Sequence, residues 1–284
     1  MNKWVATPTR DKPNKKNGRY FYNGEACFFK NWATGEQSHW SDKYNQIKSY
    51  STEQRKAYFA ELKAKRHEVE AEDRKFKLQE VNKAFSVLKV SAVTHPYLEH
   101  KQALIRPDFI IDVRHSCLQK MLVIPIYNIA GVLVAYQRID ADGNKKFKTG
   151  SQLSGAFYPI KPYTLHIVDL DIIFLCEGYA TGSSIYQALN DEYDAVNFGV
   201  LCCFSASNID AVYDVLRSKF ANKNIIHIKD QDDAGNKSKV AGFTVGFAPG
   251  QDANDIACQF GLDTLARIIK SRLFDLTFAH RNYT

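Results

Sequence analysis

The fold class of this chain is decided by the stretch Ile172-Ile173-Phe174-Leu175-Cys176-Glu177-Gly178. Five apolar residues in a row, followed by a polar residue and a glycine, are typical of a short strand that is buried on both faces. Similar runs follow at residues 200–204, 225–229 and 243–248, and helical patterns at residues 180–189 and 209–220 separate the first three. This alternation predicts an α/β domain over residues 166–284, built on a mostly parallel sheet with helices on both faces.

Acidic motifs follow three of these predicted strands, the first two of them directly. Glu177 follows the first strand, Asp230 and Asp232 follow the third, and Asp252 and Asp255 follow the fourth. Ligands of open parallel sheets bind beyond the carboxyl ends of the strands, where all three motifs are expected. Clustered carboxylates suit Mg²⁺ or Mn²⁺, and without a cation they would repel one another. A single acidic residue after a strand is more often a turn former or a helix cap, but three motifs at one edge favour a metal centre.

The residues before this domain form two segments of different character. Between Gly35 and Pro96 the sequence holds neither Gly nor Pro, and Ser51-Thr52-Glu53 is a signal for a helix start. Residues 49–90 are therefore predicted to be a charged helical linker of one or two exposed helices. Residues 91–165 contain short apolar runs separated by turn residues, which predicts a mixed α+β subdomain.

Residues 1–48 are predicted to form a basic leader followed by a β-hairpin. Residues 1–18 are basic and contain Pro8 and Pro13, which indicates a flexible segment. Two aromatic runs then flank Asn23-Gly24, a strong hairpin signal. The hairpin combines aromatic side chains that can stack bases with cations that can meet the phosphates of single-stranded DNA: Arg19, Tyr20, Tyr22, Phe28, Lys30 and Trp32. For Phe28 and Trp32, an ordinary hairpin core is the favoured alternative.

The positive charge of the chain is concentrated in its first third. The formal net charge is +7. Residues 1–90 hold 19 Lys and Arg against 11 Asp and Glu, whereas the remaining residues hold 19 against 20. This asymmetry is expected of a part that touches a polyanion, although a solvated charged helix would give the same count.

The cysteines and the apolar runs indicate the compartment. The six cysteines include no C-x-x-C pair, and no histidine lies close to two of them, so we expect no structural zinc. Most lie in apolar stretches, which is typical of buried reduced thiols in cytoplasmic proteins. Residues 1–16 lack the apolar core of a secretory signal, and the longest apolar runs are too short to span a bilayer. We therefore expect a cytoplasmic protein that does not engage a membrane.

The three acidic motifs together resemble the TOPRIM fold of bacterial-type primases, topoisomerases and some nucleases. The fuller pattern is similar to the TOPRIM primases of plasmids and phages, which commonly read like residues 176–181 at the first motif and like Asp252-Ala253-Asn254-Asp255 at the last. Upstream, residues 95–101 match that family's HPYL-x-x-K, and residues 122–147 follow its linker into the TOPRIM domain. Gly18-Arg19-Tyr20, Thr34-Gly35-Glu36 and Trp40 are similar to the segment after the zinc ribbon of longer members. The resemblance covers about residues 18–270, and its motifs are specific in combination and weak singly.

The resemblance implies a metal-dependent DNA primase that synthesises short primers from NTPs on single-stranded DNA, as in plasmid or phage replication. It implies that Asp230 and Asp232 are Mg²⁺ or Mn²⁺ ligands and that Glu177 is a ligand or a general acid/base. Asp252 and Asp255 would complete the acidic patch. The basic residues expected to face the nucleotide phosphates or the template are Arg138, Lys146 and Lys148. The sequence shows no zinc ribbon and no helicase motor, so we expect a separately encoded helicase or replication initiator as a partner.

Two other functions stay open at this level. A non-catalytic accessory protein that binds single-stranded DNA would use the basic first third, but it has no use for an anionic cluster that repels phosphate. A TOPRIM nuclease usually carries an ATPase, and the sequence has no Walker A motif. We do not expect a topoisomerase, because 284 residues leave no room for a strand-passage domain with a tyrosine nucleophile.

Overall fold

The computed structural model describes residues 4–22, 24, 26–41, 50–90, 95–103, 114–116, 120–190, 196–231 and 238–281. The chain divides into two compact units, Met1–Phe76 and Lys77–Thr284. Both contain sheet and helix, and the prediction of a mixed α/β architecture with more than one sheet is confirmed.

In the described part of the first unit, four strands form an antiparallel sheet. They pair in chain order: β1 (Trp4–Thr7), β2 (Gly18–Tyr22), β3 (Ala26–Asn31) and β4 (Gln37–Ser41). The pairing of β2 with β3 confirms the predicted hairpin. Helix α1 (Thr52–Ser86) follows as one continuous helix that crosses the boundary between the units. Its start was also predicted correctly, because the Ser51 hydroxyl accepts a hydrogen bond from the Gln54 N–H at 3.2 Å.

The prediction of a flexible leader over residues 1–18 is wrong for Trp4–Thr7. These residues form β1, which pairs with β2 so that Trp4 lies opposite Phe21. The two rings pack with their centroids 5.7 Å apart. The indole N–H of Trp4 donates to the Glu70 carboxylate on α1 at 3.2 Å. The pairing with β2 and the contacts of Trp4 therefore order Trp4–Thr7, although basic residues follow directly in the sequence.

The described part of the second unit begins with a sheet of five antiparallel strands. They pair in chain order: β5 (Lys89–Val90), β6 (Arg114–Ser116), β7 (Met121–Tyr127), β8 (Leu133–Ile139) and β9 (Lys145–Phe147). A short helix, α2 (Pro96–His100), lies between β5 and β6 in the chain. On one face Val123 and Tyr136 pack against Val81 and Phe85 of α1. On the other face, side chains such as Ile124 join the main core of the unit.

A second five-stranded sheet follows in the described residues, and it is mostly parallel. Its strands are β10 (Tyr158–Ile160), β11 (Ile172–Cys176), β12 (Phe198–Cys202), β13 (Asn224–Lys229) and β14 (Gly242–Thr244), in the order β10-β12-β11-β13-β14. β10 is antiparallel to β12, and the other neighbours are parallel. The short 3-10 helix Ile167–Asp169 precedes β11. The predicted strand at 172–176 matches β11 residue for residue, while the runs at 200–204 and 243–248 begin one or two residues away from β12 and β14.

Helices cover both faces of this second sheet. They are α3 (Tyr179–Asn190), α4 (Ala206–Lys219), α5 (Ala253–Phe260) and α6 (Leu262–Arg281). On one face Phe174 and Cys176 of β11 share a core with α3, α5 and α6, and on the other face Ile173 and Leu175 pack against α4. Gly182 lets α3 approach closely, because a Cβ there would lie 2.5 Å from the Cys202 sulfur. No helix among the described residues is long and apolar enough to cross a membrane.

His227 lies in β13, and it is the most enclosed ionisable ring of this sheet. Its side chain is 0% exposed, and within the described residues neither ring nitrogen has a hydrogen-bond partner. Burial and, to a lesser extent, the nearby charge of Lys229 lower the pKa of the imidazole to about 4, and the charge of Asp210 on α4 partly opposes them. The folded protein therefore holds His227 in its neutral form.

Because this pKa lies below the ordinary value of about 6.5, His227 should cost stability as the pH falls from about 6.5 to 4. We expect the free energy of unfolding to lose about 3 kcal/mol through this one residue over that range. The variant His227→Leu should show a correspondingly flatter acid limb in urea titrations from pH 7 to pH 4. The matched control is His100→Leu. Because His100 is exposed, this variant should have the same acid slope as the wild type. Equal slopes for wild type and His227→Leu would contradict the assignment.

Candidate functional site: an acidic edge of the parallel sheet

Glu177 and Asp230 lie at the same edge of the second sheet. β11 ends at Cys176 and β13 ends at Lys229, so each acidic residue is the first one after its strand. The two strands pair directly and run parallel. Because paired strands lie about 4.8 Å apart, the backbones of the two acidic residues are close. Asp232, the other member of the predicted catalytic set, lies outside the described residues.

The two carboxylates border buried thiols on opposite faces of the sheet. Cys176 belongs to the core shared with α3, and Cys203 to the core shared with α4. Burial is the main cause that raises the pKa of both thiols, and neighbouring thiols contribute next. The charge of Asp230 adds to the raised pKa of Cys176, and the charge of Glu177 adds to that of Cys203. Both thiols therefore stay protonated and act as packing groups rather than nucleophiles.

Phe204 holds the backbone beside Glu177 in an uncommon conformation. Its φ is +66°, in the left-handed region that residues other than glycine rarely adopt. Its N–H donates to the carbonyl oxygen of Glu177 at 2.7 Å, next to a second bond from Cys203 N–H to the Cys176 carbonyl at 2.8 Å. Its ring packs edge-on against Phe147 of β9, with centroids 6.2 Å apart. Backbone strain of this kind concentrates at functional sites. The ring of Phe204 also connects the acidic edge to β9 of the five-stranded antiparallel sheet.

The structure brings the predicted basic residues Arg138 and Lys146 together. They are directly paired between β8 and β9, so their side chains share one face of the antiparallel sheet. Arg138 also pairs with Val123, which packs against α1 on that face. Phe147 points to the opposite face, towards Phe204. Lys148 follows β9, and its N–H donates to the Tyr136 carbonyl at 3.2 Å. Contact of these cations with nucleotide phosphates stays a prediction.

Asp252 and Asp255 cap the N-terminus of α5. The Oδ1 of Asp252 accepts from the Asp255 N–H at 2.9 Å, and the Oδ2 of Asp255 accepts from the Asp252 N–H at 3.2 Å. The Oδ2 of Asp252 also accepts from the Thr181 hydroxyl, in the first turn of α3, at 2.9 Å. The ordinary alternative for an acidic residue after a strand, a helix cap, is therefore present here. A metal-ligand role for these two residues stays a prediction.

Asn254 and Lys101 connect the last acidic motif to the HPYL-x-x-K segment. Asn254 is 0% exposed, and its amide N–H donates to the Lys101 carbonyl at 2.6 Å and to the Ser184 hydroxyl at 2.9 Å. The Lys101 ammonium lies 3.6 Å from Asp255 Oδ1. Both motifs are visible in the sequence, but their contact is not. Spacing along the chain carries no information on distance in space.

Tyr97 belongs to the same segment, but the sequence indicated no role for its side chain at the site. Its N–H donates to His95 Nδ1 at 3.2 Å, which starts α2. Its hydroxyl is buried and has no hydrogen-bond partner among the residues with described positions. Burial raises the pKa of this phenol, and the carboxylate of Asp252 raises it further. Tyr97 therefore stays neutral beside the acidic edge.

In the first unit, the predicted DNA-binding residues divide between two faces of the sheet. Arg19 and Lys30 are directly paired, so they share a face, and Tyr20 points to the other. The ammonium of Lys30 lies 4.2 Å from the ring centroid of Trp32. Lys30 therefore has Trp32 as an aromatic neighbour, whereas Tyr20 and Tyr22 lie on the face opposite to Arg19 and Lys30.

The cap at Asp252 gives a prediction that separates stability from metal binding. Asp252→Ala should destabilise the protein by about 1 kcal/mol, whereas Asp252→Asn should lose much less because Asn also caps helices. Urea unfolding of both variants measures this difference. If Asp252 is also a ligand, Asp252→Asn should show a smaller thermal stabilisation by Mn²⁺ than the wild type. A full Mn²⁺ response in Asp252→Asn would leave Asp252 as a cap and remove it from the ligand set.

Curated relatives share sequence similarity with most of this chain. A protein described as DNA primase TraC from Escherichia coli is 25% identical over 228 residues, which are 78% of this chain and 20% of the relative. A second protein of the same description and organism is 24% identical over 226 residues, 80% of this chain and 14% of the relative. The resemblance to plasmid- and phage-type primases is confirmed. The chain spans about a fifth or less of the length of these two primases.

Solved primase structures are also similar to the chain. A DnaG primase catalytic domain bound to single-stranded DNA is 12% identical, with a TM-score of 0.43, over 71% of this chain and 82% of that one. The Aquifex aeolicus primase is 15% identical, with a TM-score of 0.40, over 95% and 79%. The primase fragment of the bacteriophage T7 primase-helicase is 19% identical, with a TM-score of 0.40, over 54% and 62%. Because these TM-scores are below 0.5, the primase resemblance rests on the sequence relatives. No protein-family model matches the chain.

Proposed function

We propose that this chain is a TOPRIM-type DNA primase core that synthesises short primers on single-stranded DNA. The observation that carries the proposal is the position of Glu177 and Asp230, which directly follow two paired parallel strands at one sheet edge. The similarity to curated DNA primases supports the same reaction class. In this proposal residues 166–284 form the TOPRIM catalytic domain and residues 91–165 form the primase-like α+β subdomain that borders it.

The donor set at this edge fits a hard divalent cation. Carboxylate oxygens are the ligands that Mg²⁺ and Mn²⁺ prefer, and Glu177 and Asp230 supply them from adjacent strands. Outside the gaps in the described chain, no group of three or more His, Cys, Asp or Glu side chains is placed to hold a metal. Asp232 is proposed as the third ligand, with Asp252 and Asp255 close to the same edge. When bound, Mg²⁺ or Mn²⁺ would lower the pKa of the attacking hydroxyl and neutralise charge on the leaving group.

The chemistry is nucleotidyl transfer. The 3′-hydroxyl of the primer attacks the α-phosphate of an NTP, a new P–O bond forms, and the bond to the β-phosphate breaks so that pyrophosphate leaves. Glu177 is proposed to accept the hydroxyl proton, or to hold a cation that would lower the pKa of that hydroxyl so that solvent accepts the proton. Arg138, Lys146 and Lys148 are proposed to hold the template rather than the reacting phosphates, because Arg138 and Lys146 lie on the sheet face opposite to Phe147, which packs towards the acidic edge. Phe204 contributes by holding the Glu177 backbone through its N–H.

The direct test is incubation of the purified chain with single-stranded templates, labelled NTPs and Mg²⁺ or Mn²⁺. The expected result is a ladder of short oligonucleotides that depends on template, NTPs and metal together. A separately encoded helicase or replication initiator is a proposed partner. The assay is therefore repeated with the replication proteins of the same plasmid or phage. Binding of single-stranded DNA without synthesis under both conditions would favour an accessory protein. Shortening of the template strand itself would favour a TOPRIM nuclease.

A further inference from the structure

The four-stranded sheet of the first unit has one face that packs on α1. Directly paired side chains form a row across this face: Trp4, Phe21, Phe28 and His39. The helix meets three of them. Glu70 accepts from Trp4, the Arg66 guanidinium lies 5.7 Å from the Phe28 ring centroid, and Phe59 packs edge-on against His39 at 5.9 Å. This face is therefore the core side of the sheet.

The opposite face, which we call the open face, carries a second aromatic set. It consists of two paired rows, Val5-Tyr20-Phe29 and Tyr22-Cys27-Trp40. Trp40 is 55% exposed, and Tyr20, Tyr22 and Phe29 are partly exposed. The rows are two residues apart along each strand, which is about 7 Å, so each ring presents its own surface. Exposed apolar patches on a protein surface often mark interaction sites.

Lysines lie at one end of the open face. Gly18 belongs to this face, and a Cβ there would lie 2.9 Å from the Phe29 ring and 2.9 Å from the Thr9 methyl group. Asn31, paired with Gly18, donates from its side chain to Asp11 at 3.0 Å. The connection between β1 and β2 is thus held against this end of the face, and it carries three exposed lysines: Lys12, Lys15 and Lys16. Residues 1–41 hold seven Lys and Arg against three Asp and Glu.

We propose that the open face binds single-stranded nucleic acid, with bases stacked on Tyr20, Tyr22, Phe29 and Trp40 and phosphates met by the lysines of residues 9–17. Four-stranded sheets with aromatic side chains on an open face stack two or three bases in known nucleic-acid-binding modules. Stacking needs only the flat surface of a base, so we expect little sequence preference. The excess of positive charge selects a polyanion over an ordinary protein partner. That the bound strand is a primase template rests on the proposed function.

The test compares two aromatic residues of similar exposure in the first unit. Trp40 lies on the open face, whereas Phe76, 62% exposed, lies on α1. We expect Trp40→Ala to weaken binding of a labelled oligothymidylate to the full chain about tenfold, which is the usual cost of one lost stacking contact. The matched control Phe76→Ala should stay within about twofold of wild type. Fluorescence anisotropy without NTPs or divalent metal measures both, and circular dichroism checks folding.

A second measurement tests the charged end of the face. The triple variant Lys12→Gln, Lys15→Gln, Lys16→Gln should reduce the slope of log affinity against log salt by about 2, because each phosphate contact on a single strand contributes about 0.7. Equal affinities for Trp40→Ala and Phe76→Ala, or an unchanged salt slope, would overturn the proposal. These readouts involve no catalysis. A chain that makes no primers but shows the Trp40 effect keeps the open face as a binding site and loses only the primase assignment.

Discussion

Replacing Glu177 with glutamine is expected to reduce primer synthesis at least a hundredfold while leaving the affinity for single-stranded DNA unchanged or slightly higher. Glutamine keeps the size of the side chain and the backbone carbonyl that accepts from Phe204, so the sheet edge should persist. It removes the negative charge that proton transfer or metal binding requires, a loss that typically costs about 10² to 10⁴ in rate. Incorporation of labelled NTPs on a single-stranded template measures the effect.

The control for this variant is Glu80→Gln, an exposed residue of α1 that should keep the wild-type rate. If Glu177→Gln made primers as fast as Glu80→Gln, Glu177 would be a residue that only ends a strand. A parallel loss of DNA binding in Glu177→Gln would point instead to damage of the fold, which thermal unfolding of the same sample would reveal.

The second large effect is expected at the metal centre. Mn²⁺ at a hundred times its dissociation constant should stabilise the wild type by about 2.7 kcal/mol. For a chain of this size that corresponds to a rise in melting temperature of roughly 5 to 10 °C. The double variant Asp230→Asn, Asp232→Asn should lose nearly all of this rise, because a neutral amide is a poor ligand for a hard cation.

The exposed Asp142 offers a matched control, since Asp142→Asn makes the same chemical change away from the sheet edge. Its Mn²⁺ response should equal that of the wild type. Equal stabilisation of the wild type and the double variant would remove the proposed metal site. The melting temperature without metal should rise slightly in the double variant, because removing two carboxylates relieves repulsion at the edge.

The parts of the fold that the sequence predicts well are those in which one residue pattern dominates the energy. The run at 172–176 can only be buried on both sides, and it is β11. The sequence between Gly35 and Pro96 contains no Gly or Pro to interrupt a helix, and Thr52–Ser86 form one continuous helix. By contrast, β1 has only four residues, and its stability comes from Phe21 and Glu70, which are far away in the sequence.

The acidic edge was predictable for a different reason. Strand direction places every residue that follows a parallel strand at one side of the sheet, so Glu177 and Asp230 could be assigned without knowing any distance. The neighbours of this edge could not, because contacts such as Phe204 with Phe147 depend on how two sheets meet. The division of Arg19 and Tyr20 between two faces follows from simple alternation, and it was available from the sequence once the strand was assumed.

The link between Lys101 and Asn254 has a consequence for the order in which the protein is made. The two residues are 153 positions apart, so a ribosome has released the α2 segment long before its partner on α5 exists. Contacts of such long range close late, and they slow folding because the entropy of a large loop is lost before any contact energy is gained. A nascent chain that ends before residue 252 lacks α5, whose Asn254 side chain donates to the Lys101 carbonyl. The acidic edge should therefore mature only after α5 has emerged from the ribosome.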